Sequence, residues 1–358
     1  MSTGQTYPLV CLNKGENPMR YLTLLVLTLC LSLSFLGHSL ALNHSVNGVF
    51  VRVVDVGAGL CAVVKMPGGH YMIYDAGNYN DSGARAFKAI SEIIPDGEEV
   101  DLLVLSHSDA DHLGAVDEIC NAYSVKKILR TGYKRTSGTW ETADKAVKDE
   151  NKDEGAIEIS LGHYEFLPGA TFFLGDTYVT MVAGFHKPLD EWNLSGKSEK
   201  RNSVSIVIRL QYKGKSILFT GDTVGRHIDD PEDAHIAAEK FMVDNSDFIT
   251  IDADVLIAPH HGADNASSTR FIKAVSPDFV IFSAGHKFKH PRASTAGRYI
   301  DNGVVIDNIF RTDLGDDEGG AEWDFGRKPG HKDKAGDDDV DILISPVGKI
   351  VVEYRNAQ

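Results

Sequence analysis

The sequence predicts an α/β protein of the αββα sandwich class, in which two packed mixed β-sheets are flanked by helices. Short β-branched runs occur in groups, each group is followed by helical segments, and this pattern occurs twice along the chain. No linker of Pro, Gly and Ser divides the two halves, so we expect them to form one domain. With 358 residues, of which 42% are hydrophobic, the chain is long enough for such a core.

The first half contains strands separated by Gly-rich turns, followed by segments of alternating strand and helix character. The helices are predicted from amphipathic spacing and the strands from short apolar runs. The predicted elements are strands within 49–57, 61–67 and 68–77, a helix at 84–94, a strand at 100–107, a helix from 111 to 123, a strand at 125–132 and an exposed polar helix within 134–155.

The second half repeats this order and ends in a hairpin. Lys213-Gly214 is a turn signal between two apolar runs and therefore predicts a hairpin. The predicted elements are strands within 170–184, the hairpin 203–212 and 215–220, a helix near 233–244, a strand from 253 that ends in two histidines, a helix at 267–275, a strand at 278–285, an Asp- and Gly-rich stretch over 312–340 and a hairpin at 340–355.

The N-terminus carries a predicted signal peptide. The apolar run "YLTLLVLTLCLSLSFLG" follows Met19-Arg20, and Ser39 and Ala41 are small residues before a cleavage site. We expect residues 1–41 to be removed, with Met19 as an alternative start. The competing interpretation is an uncleaved membrane anchor, but the run is short for a span and contains Ser and Thr. The prediction is a secreted or periplasmic protein without a membrane partner after cleavage.

The formal net charge of −15 restricts the class of partner. An acidic surface disfavours broad non-specific binding to nucleic acid, because that binding needs Lys and Arg to neutralise phosphates. It still permits a phosphodiester held at a local site. Basic stretches at 126–135 and 197–201 are either solvated faces or guides for a polyanion. Cys61 and Cys120 would remain in the mature chain, and export would permit a disulfide between them without requiring one.

A dense polar turn follows the predicted strand at 100–107. The stretch "SHSDADH" places His107, Asp109, Asp111 and His112 within six positions. Carboxylates and neutral imidazoles are ligands for Zn, Mn and Fe. The alternative is that Asp111 caps the next helix and that the histidines are exposed. Four such groups at the end of a strand favour a metal site.

Two further candidates follow apolar strands downstream. Asp222 ends "ILFTGD" and has a carboxylate that can bridge two ions, and His260-His261 end "LIAPHH". Ligands at strand ends converge at one edge of a sheet. Asp176 lies in the same Gly-Asp-Thr triplet as Asp222, but the chain continues directly into another strand. We therefore expect Asp176 to be a turn residue.

This ordered set of motifs resembles the metallo-β-lactamase superfamily, whose usual first motif is HxHxDH. The form found here, His107-x-Asp109-x-Asp111-His112, is similar to the hydrolase domain of ComEC-type DNA-uptake proteins. Further matches follow in the same order, namely "VVDVGAGLCAVVKMPGGHYMIYDAG", "RNSVSIVIRLQYKGKSILFTGD", "DVLIAPHHGADNASS" and "FRTDLG". The resemblance implies a metallo-β-lactamase fold and a free-standing, secreted hydrolase domain over 42–358.

The resemblance also implies a centre with two divalent ions, Zn²⁺ or Mn²⁺. Alignment on the following Gly favours His261 over His260, although strand-end geometry permits either. The first position is poor in ligands, because Asp109 stands where a His is usual and Asn202-Ser203 replaces another His. The implied ligands share Asp222 and are His107 and Asp109 for the first ion, and Asp111, His112 and His260 or His261 for the second.

Such a site predicts metal-assisted hydrolysis, in which two ions share a bridging water and lower its pKa. The predicted catalytic residues are Asp111, His261 and His290. The second histidine of the pair and His290 are expected to orient the substrate or protonate the leaving group. An ordinary surface histidine is the alternative for His290. Arg311 and Asp313 either support the site or form an exposed turn.

The predicted activity is cleavage of phosphodiester bonds, which makes the protein nuclease-like. One alternative keeps the metal ions but has small phosphoesters, lactams or lactones as substrates. Another is a non-catalytic binding protein on the same fold. The acidic stretch over 312–340 is expected to form solvated loops rather than a Ca²⁺ site, because its spacing does not match an EF-hand loop.

Overall fold

The structure is a computed structural model. It describes residues 47–77, 81–153, 155–160, 167–316, 318–324 and 334–355. These residues all belong to one compact unit over Ala41–Gln358. The predicted signal peptide at 1–41 and the alternative start at Met19 lie outside the described residues. Within the described residues, no helix is both long and apolar enough to cross a membrane.

Strands and helices alternate through the described residues much as the sequence predicts. The strands are β1 (Val49–Val53), β2 (Ala62–Met66), β3 (His70–Tyr74), β4 (Glu99–Val100), β5 (Leu102–Leu105), β6 (Ser124–Val125), β7 (Lys127–Arg130), β8 (Ile157–Ser160), β9 (Thr171–Leu174), β10 (Thr177–Ala183), β11 (Val207–Tyr212), β12 (Lys215–Phe219), β13 (Val255–Ile257), β14 (Phe279–Phe282), β15 (Ile309–Arg311), β16 (Val340–Ile344) and β17 (Ile350–Tyr354). The α-helices are α1 (Asp81–Ile93), α2 (Val116–Ala122), α3 (Gly138–Asp153), α4 (Lys197–Asn202), α5 (Ala237–Asp244), α6 (Thr269–Val275) and α7 (Ala293–Asp301).

Two mixed sheets form the centre of the described structure. The order in sheet one is β17-β16-β1-β2-β3-β5-β7-β8, and the order in sheet two is β15-β14-β13-β12-β11-β10-β9. Sheet one is antiparallel from β17 to β3 and parallel from β3 to β8. Sheet two is parallel from β15 to β12 and antiparallel from there to β9. The predicted pair of mixed sheets is confirmed.

The side chains of each sheet pack on both of its faces. In β1, Val49, Val51 and Val53 belong to the core between the two sheets, whereas Phe50 belongs to the core beneath the helices of the first half. A third core joins sheet two to the helices of the second half. Burial on both faces explains why the strands are continuous apolar runs rather than alternating ones. The order of layers is therefore helix, sheet, sheet, helix, as predicted.

The predicted hairpin around Lys213-Gly214 is confirmed as β11 and β12, but its first strand starts later than expected. The strand was predicted from residue 203 and begins at Val207. The preceding Ile206 N–H donates to the Ser106 carbonyl, 2.9 Å away, so this segment contacts the loop that follows a strand of sheet one. This hydrogen bond connects the two sheets directly beside the predicted metal site.

The acidic stretch near the C-terminus is less solvated than the sequence predicts. Glu318, Glu322, Asp339 and Asp341 are all buried. Asp341 receives two hydrogen bonds of 2.7 Å from the buried Arg52. The expectation of solvated loops is therefore wrong for Glu318, Glu322 and Asp339, whereas Asp341 belongs to β16 of the predicted hairpin. Cys61 and Cys120 are free thiols in the structure.

Candidate metal centre

The predicted ligands lie on loops that follow three strands. Strands β12 and β13 are neighbouring and parallel, so Asp222 and His261, which follow them, emerge at the same edge of sheet two. Strand β5 of sheet one leads into the loop that carries His107, Asp111 and His112. The two edges face each other, which brings side chains from distant parts of the sequence together.

The loop after β5 is a series of turns and bends whose backbone is hydrogen-bonded to the loops that follow β1 and β3. The Leu60 N–H donates to the Asp111 carbonyl at 3.2 Å, and the Ala76 N–H donates to the His112 carbonyl at 2.8 Å. The helix predicted from residue 111 therefore begins only at Val116. Asp111 does not cap it, and His112 is buried rather than exposed. The helix-capping alternative is wrong.

The carboxylate of Asp222 lies between the histidines. Its Oδ1 is 3.2 Å from His112 Nε2 and 3.3 Å from His261 Nε2. Its Oδ2 is 3.8 Å from His107 Nε2. Asp111 completes the group from the side, with Oδ2 4.0 Å from His261 Nε2. Both oxygens of one carboxylate thus face imidazole nitrogens from both sheets.

The atoms that face this centre are buried and make no hydrogen bonds. They are His107 Nε2, His112 Nε2, His261 Nε2 and Asp222 Oδ1. Leaving a buried polar atom unpaired costs about 1–3 kcal/mol, so several at one point call for a ligand. Two groups have ligand atoms within 4.8 Å of one another and can hold a metal ion: His107, His112 and Asp222, and Asp111, His112 and His261. The side chains therefore fit a divalent ion.

The other ring nitrogen of each histidine in these two groups has a fixed partner. His112 Nδ1 lies 2.7 Å from Asp75 Oδ2, and His261 Nδ1 lies 2.7 Å from the Ser283 carbonyl. His107 Nδ1 lies 3.0 Å from Ser106 Oγ. Such partners orient the ring and decide which nitrogen carries the proton. For His112 and His261 the partner accepts a proton from Nδ1, which leaves the Nε2 lone pair for the centre.

The charges of His107 and Asp222 favour ligation. Burial, together with a smaller contribution from His112, lowers the pKa of His107 to about 3, so this imidazole is neutral as a metal ligand must be. Burial opposes ionisation of Asp222, but His261 and His112 outweigh it and hold its pKa well below the usual range. The centre therefore presents an ionised carboxylate beside a neutral imidazole. At His112 and His261 burial lowers the imidazole pKa, but Asp222 outweighs burial and raises it, so an ion that binds there would displace a proton.

The two histidines of the His-His pair have different surroundings. His260 Nε2 accepts a hydrogen bond from Asn202 Nδ2 at 2.9 Å, and its Nδ1 pairs with Asn265 Oδ1 at 2.7 Å. Its Nε2 lies 3.8 Å from Asp222 Oδ2. Both ring nitrogens of His260 thus have partners, whereas the Nε2 of His261 points into the centre without one. The structure brings His261 into the converging group and places His260 beside it.

Asp109 faces two arginines. Its Oδ1 accepts hydrogen bonds from Arg201 Nε and, at 3.4 Å, from Arg135 Nη1. Arg201 Nη2 also donates to Oδ2 at 3.4 Å. The distance from Oδ2 to His107 Nε2 is 3.9 Å. Asp109 thus lies next to the centre but outside both groups of converging atoms among the described residues.

His290 forms a wall of the cleft above the centre. The cleft has a volume of about 440 Å³, and Asp111, Asp222 and His261 also line it. The His290 ring centroid is 5.9 Å from that of His260. Burial lowers the pKa of His290 to about 3, and the neighbouring histidines contribute in the same direction. The structure thus gives His290 a place in the cleft rather than on the open surface.

Arg311 and Asp313 lie beneath this wall. Both are fully buried, and Arg311 donates two hydrogen bonds of 2.8 Å to the Asp313 carboxylate. Arg311 Nη2 also donates to the His290 carbonyl at 3.3 Å. The exposed-turn alternative is therefore wrong. Asp176, by contrast, is exposed in the turn between β9 and β10, as expected.

Sequence reasoning missed Asp75, Arg135 and Arg201 as parts of this site. Asp75 is fully buried and accepts hydrogen bonds of 2.7 Å from both the N–H and the hydroxyl of Ser106, besides its contact with His112. The sequence feature that could have indicated Asp75 is its position at the end of a predicted strand, which becomes β3, because the other carboxylates of the site also follow strands. The two arginines lie in the basic stretches whose role the sequence left open.

We expect Asp75→Asn to weaken metal binding by about 10- to 100-fold. If the amide oxygen keeps the hydrogen bond from the Ser106 N–H, the amide NH₂ faces His112 Nδ1. The ring must then accept at Nδ1 and carry its proton on Nε2, where it blocks ligation. Competition with a fluorescent chelator measures the affinity, and Asp96→Asn, at an exposed carboxylate, is the control. Equal affinities for both variants would refute this role of Asp75.

The fold is an αββα sandwich, and Asp and His side chains converge at a candidate metal centre between its two sheets. This combination of fold and site defines the class of protein. The chain belongs to the metallo-beta-lactamase superfamily, because the model of that family matches residues 54–286. This match spans more than half of the chain and includes every residue of the two converging groups. The predicted resemblance at the level of the superfamily is therefore confirmed.

Two curated relatives are competence proteins. Competence protein ComA of Neisseria gonorrhoeae is 26% identical over 285 residues, which cover 78% of this chain and 33% of ComA. ComE operon protein 3 of Bacillus subtilis (strain 168) is 24% identical over 196 residues, which cover 54% of this chain and 21% of that protein. The chain thus spans a third or less of the length of these relatives. These matches confirm the predicted resemblance to ComEC-type proteins.

Solved structures with a similar fold are more distant. Igni18, a metallo hydrolase from Ignicoccus hospitalis KIN4/I, has 14% sequence identity and a TM-score of 0.42, over 73% of this chain and 94% of that one. Zn²⁺-bound PqqB from Methylobacterium extorquens has 11% identity and a TM-score of 0.43, over 73% of this chain and 97% of that one.

Proposed function

We propose that the protein is a secreted or periplasmic metal-dependent hydrolase of phosphodiester bonds. The observation that carries this proposal is the convergence of buried, unpaired ligand atoms at the floor of a cleft with basic side chains on its rim. Arg135, Lys287 and Arg292 line the same cleft as the Asp and His side chains. In a chain with a net charge of −15, this local group of cations favours an anionic substrate.

We propose that the centre would hold two ions, Zn²⁺ or Mn²⁺, with Asp222 as a ligand available to both. His107 would hold the first ion together with Asp222, and Asp111, His112 and His261 would hold the second. The arginine contacts of Asp109 leave the first position with few ligands, and the hydrogen bonds of His260 leave His261 as the histidine of the pair for the second. A ligand set that mixes carboxylates with imidazoles suits either Zn²⁺ or Mn²⁺.

Bound divalent ions would lower the pKa of a water molecule towards neutrality and offset the charge on a phosphate. The side chains of the chain would place the substrate. The neutral ring of His290 offers one donor and one acceptor to a phosphate or leaving group. Its lowered pKa favours an orienting role over proton donation at neutral pH. Arg311 would hold the backbone of His290 so that its ring stays in the cleft wall.

The nature of the diester is a further part of the proposal. The curated relatives are named as competence proteins, so we propose nucleic acid as the polyanion. Small phosphoesters would use the same ions and cations. Lactams and lactones are less favoured as substrates, because their reacting carbonyl is neutral and does not require basic side chains at the rim of the cleft. A purely binding role is not favoured, because both groups of ligand atoms are retained.

A substrate panel tests the proposal. The mature protein, loaded with Zn²⁺ or Mn²⁺, is assayed on a single-stranded oligonucleotide, bis-p-nitrophenyl phosphate, p-nitrophenyl phosphate and nitrocefin, with chelator-treated protein as the control. We expect metal-dependent hydrolysis of the two diesters. Turnover of none of the esters would overturn the hydrolase proposal, and turnover of nitrocefin alone would overturn the substrate class.

A further inference from the structure

We propose that a second hollow beside the metal cleft binds a single-stranded nucleic acid on one side of the phosphate held in the cleft. This inference rests on the proposed phosphodiesterase function and specifies its substrate. The hollow has a volume of about 370 Å³. Its lining includes Tyr133, Lys187, Asn193 and Lys200. It therefore offers an aromatic ring, an amide and two cations.

The hollow and the metal cleft share two segments of chain, and residues within 187–194 complete the lining of the hollow. On the first segment, Arg135 lines the cleft and Tyr133 lines the hollow. On the second, which includes helix α4, Ser198 and Asn202 line the cleft and Lys200 lines the hollow. A polymer that leaves the cleft between these segments reaches the hollow directly.

Asp109 joins these two segments. Its Oδ1 accepts hydrogen bonds from Arg135 on the first segment and Arg201 on the second. The Ser108 hydroxyl also donates to the Tyr133 carbonyl at 2.8 Å, which ties the first segment to the metal-binding loop. The basic stretches at 126–135 and 197–201, far apart in sequence, thus meet beside the site. Their position favours a guide for a polyanion over two separate solvated faces.

The charge of the hollow suits a phosphate backbone. Lys187 and Lys200 line it against one described carboxylate, Asp190. Neither lysine makes an ion pair within the described residues, whereas Lys126 and Lys215 each pair with an aspartate. Binding a phosphate to such lysines releases counterions at little cost in broken protein contacts.

The aromatic ring favours a single strand over a duplex. Tyr133 is half-buried on the lining of the hollow. Base stacking on an aromatic side chain is tolerant of sequence and needs an unpaired base. The bases of a duplex already stack on each other and leave only the backbone to bind. The combination of Tyr133 with two lysines therefore fits a flexible single strand.

The test compares Lys187→Ala/Lys200→Ala with the matched double variant Lys273→Ala/Lys349→Ala, which removes the same charge at exposed positions outside the cleft and the hollow. Hydrolysis is measured on a single-stranded 12-mer and on bis-p-nitrophenyl phosphate, which is too short to reach the hollow. Fluorescence anisotropy measures binding of the 12-mer and of its duplex to the metal-loaded protein, and thermal melting checks that each variant is folded.

We expect the Lys187/Lys200 variant to raise KM for the 12-mer about tenfold without changing kcat, and to leave hydrolysis of the small diester unchanged. The slope of log affinity against log salt should fall by about 1.4, since each single-strand phosphate contact contributes about 0.7. Tyr133→Ala should weaken 12-mer binding about tenfold with no change in that slope.

The outcomes separate the two proposals. If both double variants have the same KM and affinity for the 12-mer, the second hollow is not a subsite. Hydrolysis of the small diester would still support the proposed phosphodiesterase function. If the wild-type protein hydrolyses neither diester, the proposed function fails and anisotropy alone decides about the hollow. Equal affinity for the 12-mer and its duplex would overturn the assignment to a single strand.

Discussion

Asp222→Asn is expected to remove the ion that Asp222 shares with the histidines and to lower kcat/KM for a phosphodiester on the order of 10³-fold. The amide has one acceptor oxygen where the carboxylate has two, and it carries no charge. Its NH₂ group must face either His112 and His261 on one side or His107 on the other. Either orientation removes a ligand lone pair from one side of the centre.

The matched control for this change is Asp176→Asn. Both aspartates stand in a Gly-Asp-Thr triplet, but Asp176 is exposed in a hairpin turn. Metal content is measured by mass spectrometry of the purified protein, and kcat/KM with bis-p-nitrophenyl phosphate. If Asp222→Asn keeps both the metal content and the activity of Asp176→Asn, Asp222 is not a ligand and the proposed centre is wrong.

Arg52→Met is expected to reduce the free energy of unfolding by about 3–5 kcal/mol, far from the candidate site. Arg52 is buried and donates two hydrogen bonds of 2.7 Å to the fully buried Asp341. Its Nη1 also donates to Glu92 at 3.3 Å. Met fills a similar volume but leaves Asp341 as a buried, uncompensated charge between β1 and β16.

The loss of unfolding free energy caused by Arg52→Met should be smaller at low pH. Burial raises the pKa of Asp341, while the Arg52 guanidinium opposes this rise. Without Arg52 the folded-state pKa rises further above that of the unfolded chain, so the folded state binds more protons as the pH falls. The stability of the variant should therefore recover relative to the wild type between pH 7 and pH 5. Urea unfolding at both pH values measures this difference.

Arg355→Met provides the control for Arg52→Met. Arg355 contacts Glu92 at 2.9 Å and Asp339 at 3.3 Å, but 33% of its side chain is exposed. An exposed ion pair contributes at most about 1 kcal/mol. If Arg52→Met reduces the free energy of unfolding by no more than Arg355→Met does, the buried pair of Arg52 and Asp341 does not stabilise the pairing of β1 with β16 as inferred.

The sandwich was predictable because its strands are apolar on both faces and its turns are marked by Gly. Helix α7 was not predicted, since polar Thr295 and Arg298 lie on its buried face beside Ala296 and Tyr299. Arg298 Nη2 donates to the Ala266 carbonyl, and Arg298 Nε donates to the Ser267 carbonyl. Helix α4 has six residues and is too short to give a periodic signal.

The convergence of His107, His112, Asp222 and His261 was predictable because each of them follows a strand. The surroundings of the centre were not. The carboxylate of Asp75 lies 37 positions from its partner His112, and Arg201 lies 92 positions from Asp109. Such pairs depend on how the two sheets stack, and no local pattern encodes that stacking. For the same reason the motif alone did not indicate that Asp109 faces arginines.

The division of the site between strand ends and loops has a consequence for how such a protein can adapt. The candidate ligands, apart from the partly exposed Asp111, are buried, and His107, His112 and His261 have hydrogen-bond partners besides the centre, so nearly every substitution among them disturbs several contacts. Tyr133, Lys187 and Lys287 lie on the surrounding loops and are at least partly exposed. In a laboratory selection for a new substrate, we would expect accepted mutations to accumulate on these loops, while the residues at the strand ends stay unchanged.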